Sequence, residues 1–178
     1  MSTRYFVPRD TTAVAVGAND VAKALAAEIA KEGIEGQLVR NGSRGAFWME
    51  PLLEIERDGQ RVGFGPLAAD DVTDIVALDT SAWSGHSRFL GDLDQHPWFA
   101  RQQRVTFSRS GYDDPLCLES YLSRHGFDGL DHAVHLPPED IVDEVTRSGL
   151  RGRGGAAFPA GIKWKTVLGG WRREIHCL

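Results

Sequence analysis

Cysteine is scarce in this chain. Its 178 residues hold two, Cys117 and Cys177, far apart. That excludes a disulfide framework, and no Cys-x-x-Cys pair exists to ligate zinc or an iron–sulfur cluster. An excess of positive charge is also missing: 20 Lys and Arg stand against 25 Asp and Glu, a formal charge of −5. Such a balance argues against a nucleic-acid partner, though not against a local basic site. No apolar run approaches membrane-spanning length, and Met1–Asp10 lacks the apolar stretch of a secretory signal. A cytoplasmic, reducing setting with no membrane contact is expected. With 42% hydrophobic and 25% charged residues the chain can bury a core, and its length suits one ordinary domain or two small ones.

What is present begins with alternating local signals. Tyr5-Phe6-Val7 is a strand stopped by Pro8. Ala18-Asn19-Asp20 opens a helix in which Val21, Ala24, Leu25 and Ile29 recur at helical spacing, with Gly33 and Gly36 ending it. Gln37–Arg40 is a second strand. Leu53-Glu54-Ile55-Glu56 alternates apolar and acidic residues, and Asp58-Gly59 separates it from Arg61–Phe64, which predicts a hairpin. A helix over Ala68–Ala77 follows. The order β-α-β-β-β-α within residues 1–80 predicts a small α/β domain.

That order, with Asn41-Gly42-Ser43-Arg44-Gly45-Ala46-Phe47-Trp48-Met49-Glu50-Pro51 and Gly65-Pro66, resembles a thioredoxin-like ferredoxin domain. The resemblance implies cluster cysteines where this chain has Ser43 and Phe47, and others near Pro8-Arg9-Asp10. A [2Fe–2S] cluster expects thiolate ligands, so no [2Fe–2S] cluster and no metal is expected here. The domain is expected to serve as a scaffold that docks on a partner subunit. By composition alone, Arg40–Gly45 also reads as an ordinary polar turn.

Residues 81–100, rich in Ser, Gly, Asp and His, read as a linker, with Trp83, Trp98 and Phe99 covering apolar surface. From residue 101 to 178 a second region is expected. Arg104–Phe107 is strand-like, and Asp113-Asp114-Pro115 caps a helix carrying Leu116, Leu118, Tyr121 and Leu122. Cys117 falls on its apolar side, which predicts burial. A short helix runs through Val134. His132 and His135 can share its face, but without a third ligand they make no metal site. Pro137-Pro138-Glu139-Asp140 opens a further helix with an Ile141, Val142, Val145 stripe, ended by Ser148-Gly149.

Then comes Gly149-Leu150-Arg151-Gly152-Arg153-Gly154-Gly155-Ala156-Ala157-Phe158-Pro159-Ala160-Gly161-Ile162-Lys163-Trp164-Lys165. Glycines allow backbone N–H groups to approach a phosphate, Arg and Lys neutralise it, and an aromatic ring covers a flat heterocycle. Gly152–Ala157 satisfies G-x-G-x-x-A, yet a Rossmann fingerprint must follow a strand, and here a helix precedes it. No Gly-Lys-Ser/Thr follows to make a Walker loop, and Arg153-Gly154-Gly155 stands alone rather than in the repeats of single-strand binders.

Taken whole, the segment resembles the signature of the flavin- and NADH-binding subunit shared by respiratory complex I, NAD-reducing hydrogenases and NAD-dependent formate dehydrogenases. The likeness runs upstream through Asp114-Pro115, Gly126-Phe127 and Leu136–Leu150. It implies that Gly152, Gly154 and Gly155 present N–H groups to nucleotide phosphates, that Arg153 is a charge partner, that Ala156 and Gly161 belong to the same cofactor loop, that Phe158 covers a base ring, and that Lys163 contacts FMN. Ala157 and Ala160 stand where complex I often has Gly and Thr, and Thr166 where it tends to have an aromatic.

Together with the cysteine-free N-terminal domain, the pattern most resembles the beta subunit of molybdenum, NAD-dependent formate dehydrogenase. The resemblance implies an α/β chain: a thioredoxin-like domain, then the truncated start of an FMN/NADH-binding α/β domain. It implies FMN and NAD(H) as cofactors, with a [4Fe–4S] cluster in the longer family members whose ligands this chain lacks. The partners implied are a molybdenum-containing alpha subunit that oxidises formate and a small ferredoxin-like gamma subunit. The equivalent hydrogenase or complex I subunit, or a non-enzymatic docking module with a vestigial loop, are the alternatives. Arg173–Cys177 reads as a trace of the family's next strand, and Gly169–Arg173 as a truncated or frame-shifted end. The isolated chain is therefore expected to retain no FMN, to be inactive, and to be poorly ordered from Gly149 onward.

Overall fold

A computed structural model describes residues 3–171, in two compact units that divide between Arg124 and His125. The first is built on a mixed five-stranded sheet in the order β2-β1-β3-β4-β5. Its strands are β1 (Thr3–Phe6), β2 (Gly36–Val39), β3 (Leu53–Arg57), β4 (Gln60–Phe64) and β5 (Phe89–Gly91). β1 and β2 run parallel, and the remaining neighbours are antiparallel. A parallel pair needs a crossover. After the short helix α1 (Thr11–Ala15), α2 (Ala18–Glu32) supplies it, burying Ala18, Val21, Ala22 and Leu25 on one face. Gly33, at φ +61°, closes α2 by donating its N–H to the Ile29 carbonyl. Asp58 and Gly59 both take positive φ, 52° and 78°, as a tight two-residue hairpin turn requires. The core gathers Tyr5, Val7, Leu25, Leu53, Ile55, Phe64, Ile75 and Trp83.

Several sequence expectations change here. The helix expected over Ala68–Ala77 is shorter, α3 (Asp71–Val76), because the Asp71 carboxylate accepts the Ala68 N–H at 2.7 Å ahead of it. Residues 81–100 are not a linker. Trp83 is buried with its ring edge-on to Phe64 at 6.3 Å, β5 extends the sheet, and Leu93 packs where a Cβ on Gly63 would stand 2.9 Å away. α4 (Pro97–Ala100) places Phe99 in a second small core with Ala46, Met49, Leu52 and Leu93.

Arg104–Phe107 forms a bend and turns rather than a strand, with Val105 and Phe107 exposed. α5 (Leu118–Ser123) begins at Cys117, which is half-buried rather than buried, its Sγ donating to Glu119 Oε2 at 3.3 Å. This unit extends to Arg124 because residues 104–113 are tied back onto it. Asn41 Nδ2 donates to the Gly111 carbonyl at 2.8 Å, and Gly42 N–H donates to the Asp113 carbonyl at 3.3 Å.

The second unit is helical among its described residues: α6 (Asp128–Val134), α7 (Pro138–Arg147) and α8 (Ala160–Trp171). Proline at the start of α7 and Glu139 and Asp140 in its first turn suit a helix N-terminus. Ile141 and Val142 of α7 and Trp164, Val167 and Leu168 of α8 line an apolar cleft of about 350 Å³. The stretch from Gly149 to Trp171 is a closed loop and a helix in place of the poorly ordered segment expected, because α8 finds α7 to pack on. The strand trace at Arg173–Cys177 lies outside the described residues.

Candidate functional site

The glycine-rich loop joins the end of α7 to the start of α8. Gly149, at φ +67°, turns the chain out of α7. The two arms then pair: Gly152 N–H donates to the Phe158 carbonyl at 2.9 Å, and Ala160 N–H to the Leu150 carbonyl at 2.8 Å. Arg151 Nη1 reaches the Ala157 carbonyl at 3.3 Å. Between the arms, the backbone N–H groups of Arg153, Gly154, Gly155 and Ala156 have no hydrogen-bond acceptor among the described residues. Gly155 takes φ +94°. Ala157 takes φ +47°, a left-handed conformation that a side chain disfavours.

The charge of this region is one-sided. From Val145 to Trp171 the sequence holds Arg147, Arg151, Arg153, Lys163 and Lys165 and no Asp or Glu. Arg153 is exposed, with no hydrogen bond or ion pair among the described residues. Lys163 extends its ammonium over the Phe158 ring, 5.7 Å from the centroid. Phe158, Ile162, Lys163 and Thr166 line an open hollow of about 360 Å³. Among the described residues, Arg153, Gly154, Gly155 and Ala156 are consecutive backbone donors with no acceptor, and Lys163 lies over the Phe158 ring. Gly152 spends its N–H on closing the loop. Gly161 is buried against α7 rather than facing the loop. Backbone N–H groups without an acceptor, and Arg153 and Lys163 without an ion pair among the described residues, are the kinds of group that can take up a phosphate.

The loop of the first unit carries different chemistry. Ser43 donates its backbone N–H to the Asp10 carboxylate and its hydroxyl to Glu50 Oε1 at 2.9 Å. Phe47 stands exposed beside Trp48, which meets Trp98 edge-on at 4.9 Å. Glu50 is buried, its other oxygen accepting the Leu52 N–H at 2.9 Å. Burial, with help from Asp10 and Glu54, pushes its carboxyl up to about 6 against the Ser43 and Leu52 bonds.

Beneath the loop, Arg44 forks onto buried Glu54 and also reaches Asp94 at 2.6 Å. Burial pulls its guanidinium down, but the Glu54 and Asp94 partners outweigh that and raise it. Arg61 also donates to Glu54, and Tyr112 donates to Asp94. This network escapes sequence reading. Glu54 alternates with apolar neighbours like any solvent-facing acid, and only the return of residues 94–112 over that face buries it.

The histidines are occupied locally. His132 shares a hydrogen bond with Glu144 at 3.1 Å, and His135 Nδ1 pairs with the Asp131 carbonyl. Among the described residues, no group of three or more His, Cys, Asp or Glu is placed to hold a metal ion. None of the described helices is long and apolar enough to cross a membrane.

No protein-family model matches the chain. Among curated proteins it is 45% identical over 69 residues to the HndC component of the NADP-reducing hydrogenase of Solidesulfovibrio fructosivorans, covering 39% of this chain and 14% of that protein. It is 50% identical over 51 residues to the F component of the NADH-quinone oxidoreductase of Aquifex aeolicus, covering 29% and 12%. It is 45% identical over 54 residues to the same component of the Escherichia coli enzyme, covering 30% and 12%. The chain therefore spans about an eighth of the length of these relatives. Among solved structures it is similar to a thioredoxin-like [2Fe–2S] ferredoxin from Aquifex aeolicus, at 22% identity and TM-score 0.37, covering 43% of this chain and 77% of that one.

Proposed function

We propose that this chain carries the nucleotide-phosphate loop of a diaphorase-type electron-transfer subunit, and that the assembly is an NAD-dependent formate dehydrogenase in which electrons pass through FMN to NAD⁺. The observation that supports this most is the row of free N–H groups at Arg153–Ala156 beside Arg153 and Lys163. In this reading Gly154 and Gly155 receive a nucleotide phosphate, Lys163 leaves the Phe158 ring to meet that charge, and the freed ring covers a flat heterocycle. Gly152 acts by closing the loop. Bound flavin would supply the conversion between single electrons and hydride, and the protein's part is orientation and charge.

The molybdenum-containing alpha subunit would deliver electrons, and the first unit would dock a small ferredoxin-like gamma subunit in the cytoplasm. The equivalent hydrogenase or NADH-quinone oxidoreductase reading keeps the same loop chemistry and is consistent with the 45% and 50% identities to components of those enzymes. An open loop cannot enclose most of a flavin, as cofactor pockets do. The chain alone should therefore bind FMN weakly, lose it on gel filtration, and reduce no acceptor with NADH.

Titrating FMN and riboflavin into ¹⁵N-labelled protein tests the reading. FMN should move the Arg153–Ala156 amide resonances, riboflavin should not, and Lys163→Gln should weaken FMN about tenfold. Equal responses to the two ligands would sink the phosphate site. Failure to co-purify with formate dehydrogenase alpha and gamma subunits on co-expression would remove the formate assignment and leave the loop chemistry standing.

A further inference from the structure

Gly161 sits in the first turn of α8, buried, and faces Thr146 in the last turn of α7. A Cβ at Gly161 would stand 2.6 Å from the Thr146 Cα and closer still to its Oγ1. Neither group can yield easily. The contact includes backbone, and the Thr146 hydroxyl is held by a 2.7 Å bond to the Val142 carbonyl of its own helix. The two paired bonds that close the loop, Gly152 to Phe158 and Ala160 to Leu150, lie directly between these residues in the chain. Gly154, by contrast, has nothing within 4 Å of a notional Cβ.

We propose that Gly161 is a positioning residue rather than a ligand contact: its missing side chain seats α8 on Thr146, and that seat holds the Leu150–Ala160 loop closed before any ligand arrives. The consequence for ligand affinity rests on the phosphate-site reading; the seat itself does not. A methyl group at Gly161 must push the helices apart, and the loop arms, anchored one on each helix, must then part.

Amide hydrogen exchange on the full chain tests this. In Gly161→Ala, the Gly152 and Ala160 amides should exchange about tenfold faster or more, while amides in the middle of α7 keep their rates. Gly154→Ala, whose added methyl meets open space, should leave both amides at wild-type rates. FMN should bind Gly161→Ala about tenfold more weakly. Unchanged exchange at Gly152 and Ala160 in Gly161→Ala would overturn the proposal, as would faster exchange spread evenly through the middle of α7. If FMN moves no loop amide of the wild type while the exchange pattern holds, the phosphate reading fails and the seat stands.

Discussion

Arg44 grips Glu54 through two hydrogen bonds, Nε to Oε1 at 2.9 Å and Nη2 to Oε2 at 2.8 Å, with both side chains almost wholly withdrawn from water. Removing one member of such a pair leaves the other charged in a medium that solvates it poorly. Arg44→Ala should cost about 3 kcal/mol, at the low end for a broken buried pair because Arg61 still donates to Glu54 at 2.9 Å. Urea unfolding reads this directly. A loss under about 1 kcal/mol would mean that water already reaches the pair.

Glu50 gives the chain a pH dependence. Its folded carboxyl lies at about 6, against 4.5 for the free side chain. A raised carboxyl makes the folded state bind its proton more tightly than the unfolded state does. Stability should therefore rise as pH falls through 6 and level off below the unfolded value, a gain of about 1–2 kcal/mol. Urea midpoints measured between pH 7.5 and 5 should rise in the wild type and stay flatter in Glu50→Gln. The depressed Asp94 carboxyl acts only at lower pH, below its ordinary value of 3.8, and does not mask the trend.

Trp83 decides whether residues 81–100 belong to the first unit. The ring is 2% exposed, lies against Phe64, and carries the Arg57 guanidinium 5.7 Å from its centroid. Trp83→Ala should cost about 3–5 kcal/mol in urea unfolding, the loss for a core aromatic. A linker residue would give a change near zero.

The loop glycines should separate by role. Gly154→Ala meets open space and should leave stability within about 0.5 kcal/mol while weakening FMN binding. At Ala157 the reverse substitution is informative: Ala157→Gly relieves φ +47° and should stabilise the loop by about 1 kcal/mol, seen as slower exchange at Gly152. A faster Gly152 amide in Ala157→Gly would show that the left-handed turn is not what limits closure.

Much of this was legible in the chain itself. Helical spacing from Val21 to Ile29, the Asp58-Gly59 hairpin and the Pro138 start of α7 are set by neighbours a few residues apart, so local sterics and hydrogen bonding fix them wherever they sit. The chemistry of the Arg151–Lys165 loop is likewise written in its residue types. The strand expected at Arg104–Phe107 and the burial expected for Cys117 failed for a common reason: an apolar residue packs only if a surface comes to meet it.

The sequence determined most of the first unit's strands and its hairpin, and that one loop gathers glycines and cations. Tertiary structure alone decided that Glu54 is buried under Arg44, that Trp83 is core, and that Gly161 serves the α7 seat where its neighbour Gly154 faces open space. Those outcomes depend on what arrives from elsewhere in the chain. Desolvation and van der Waals fit act between surfaces, and no reading of adjacent residues can supply the second surface.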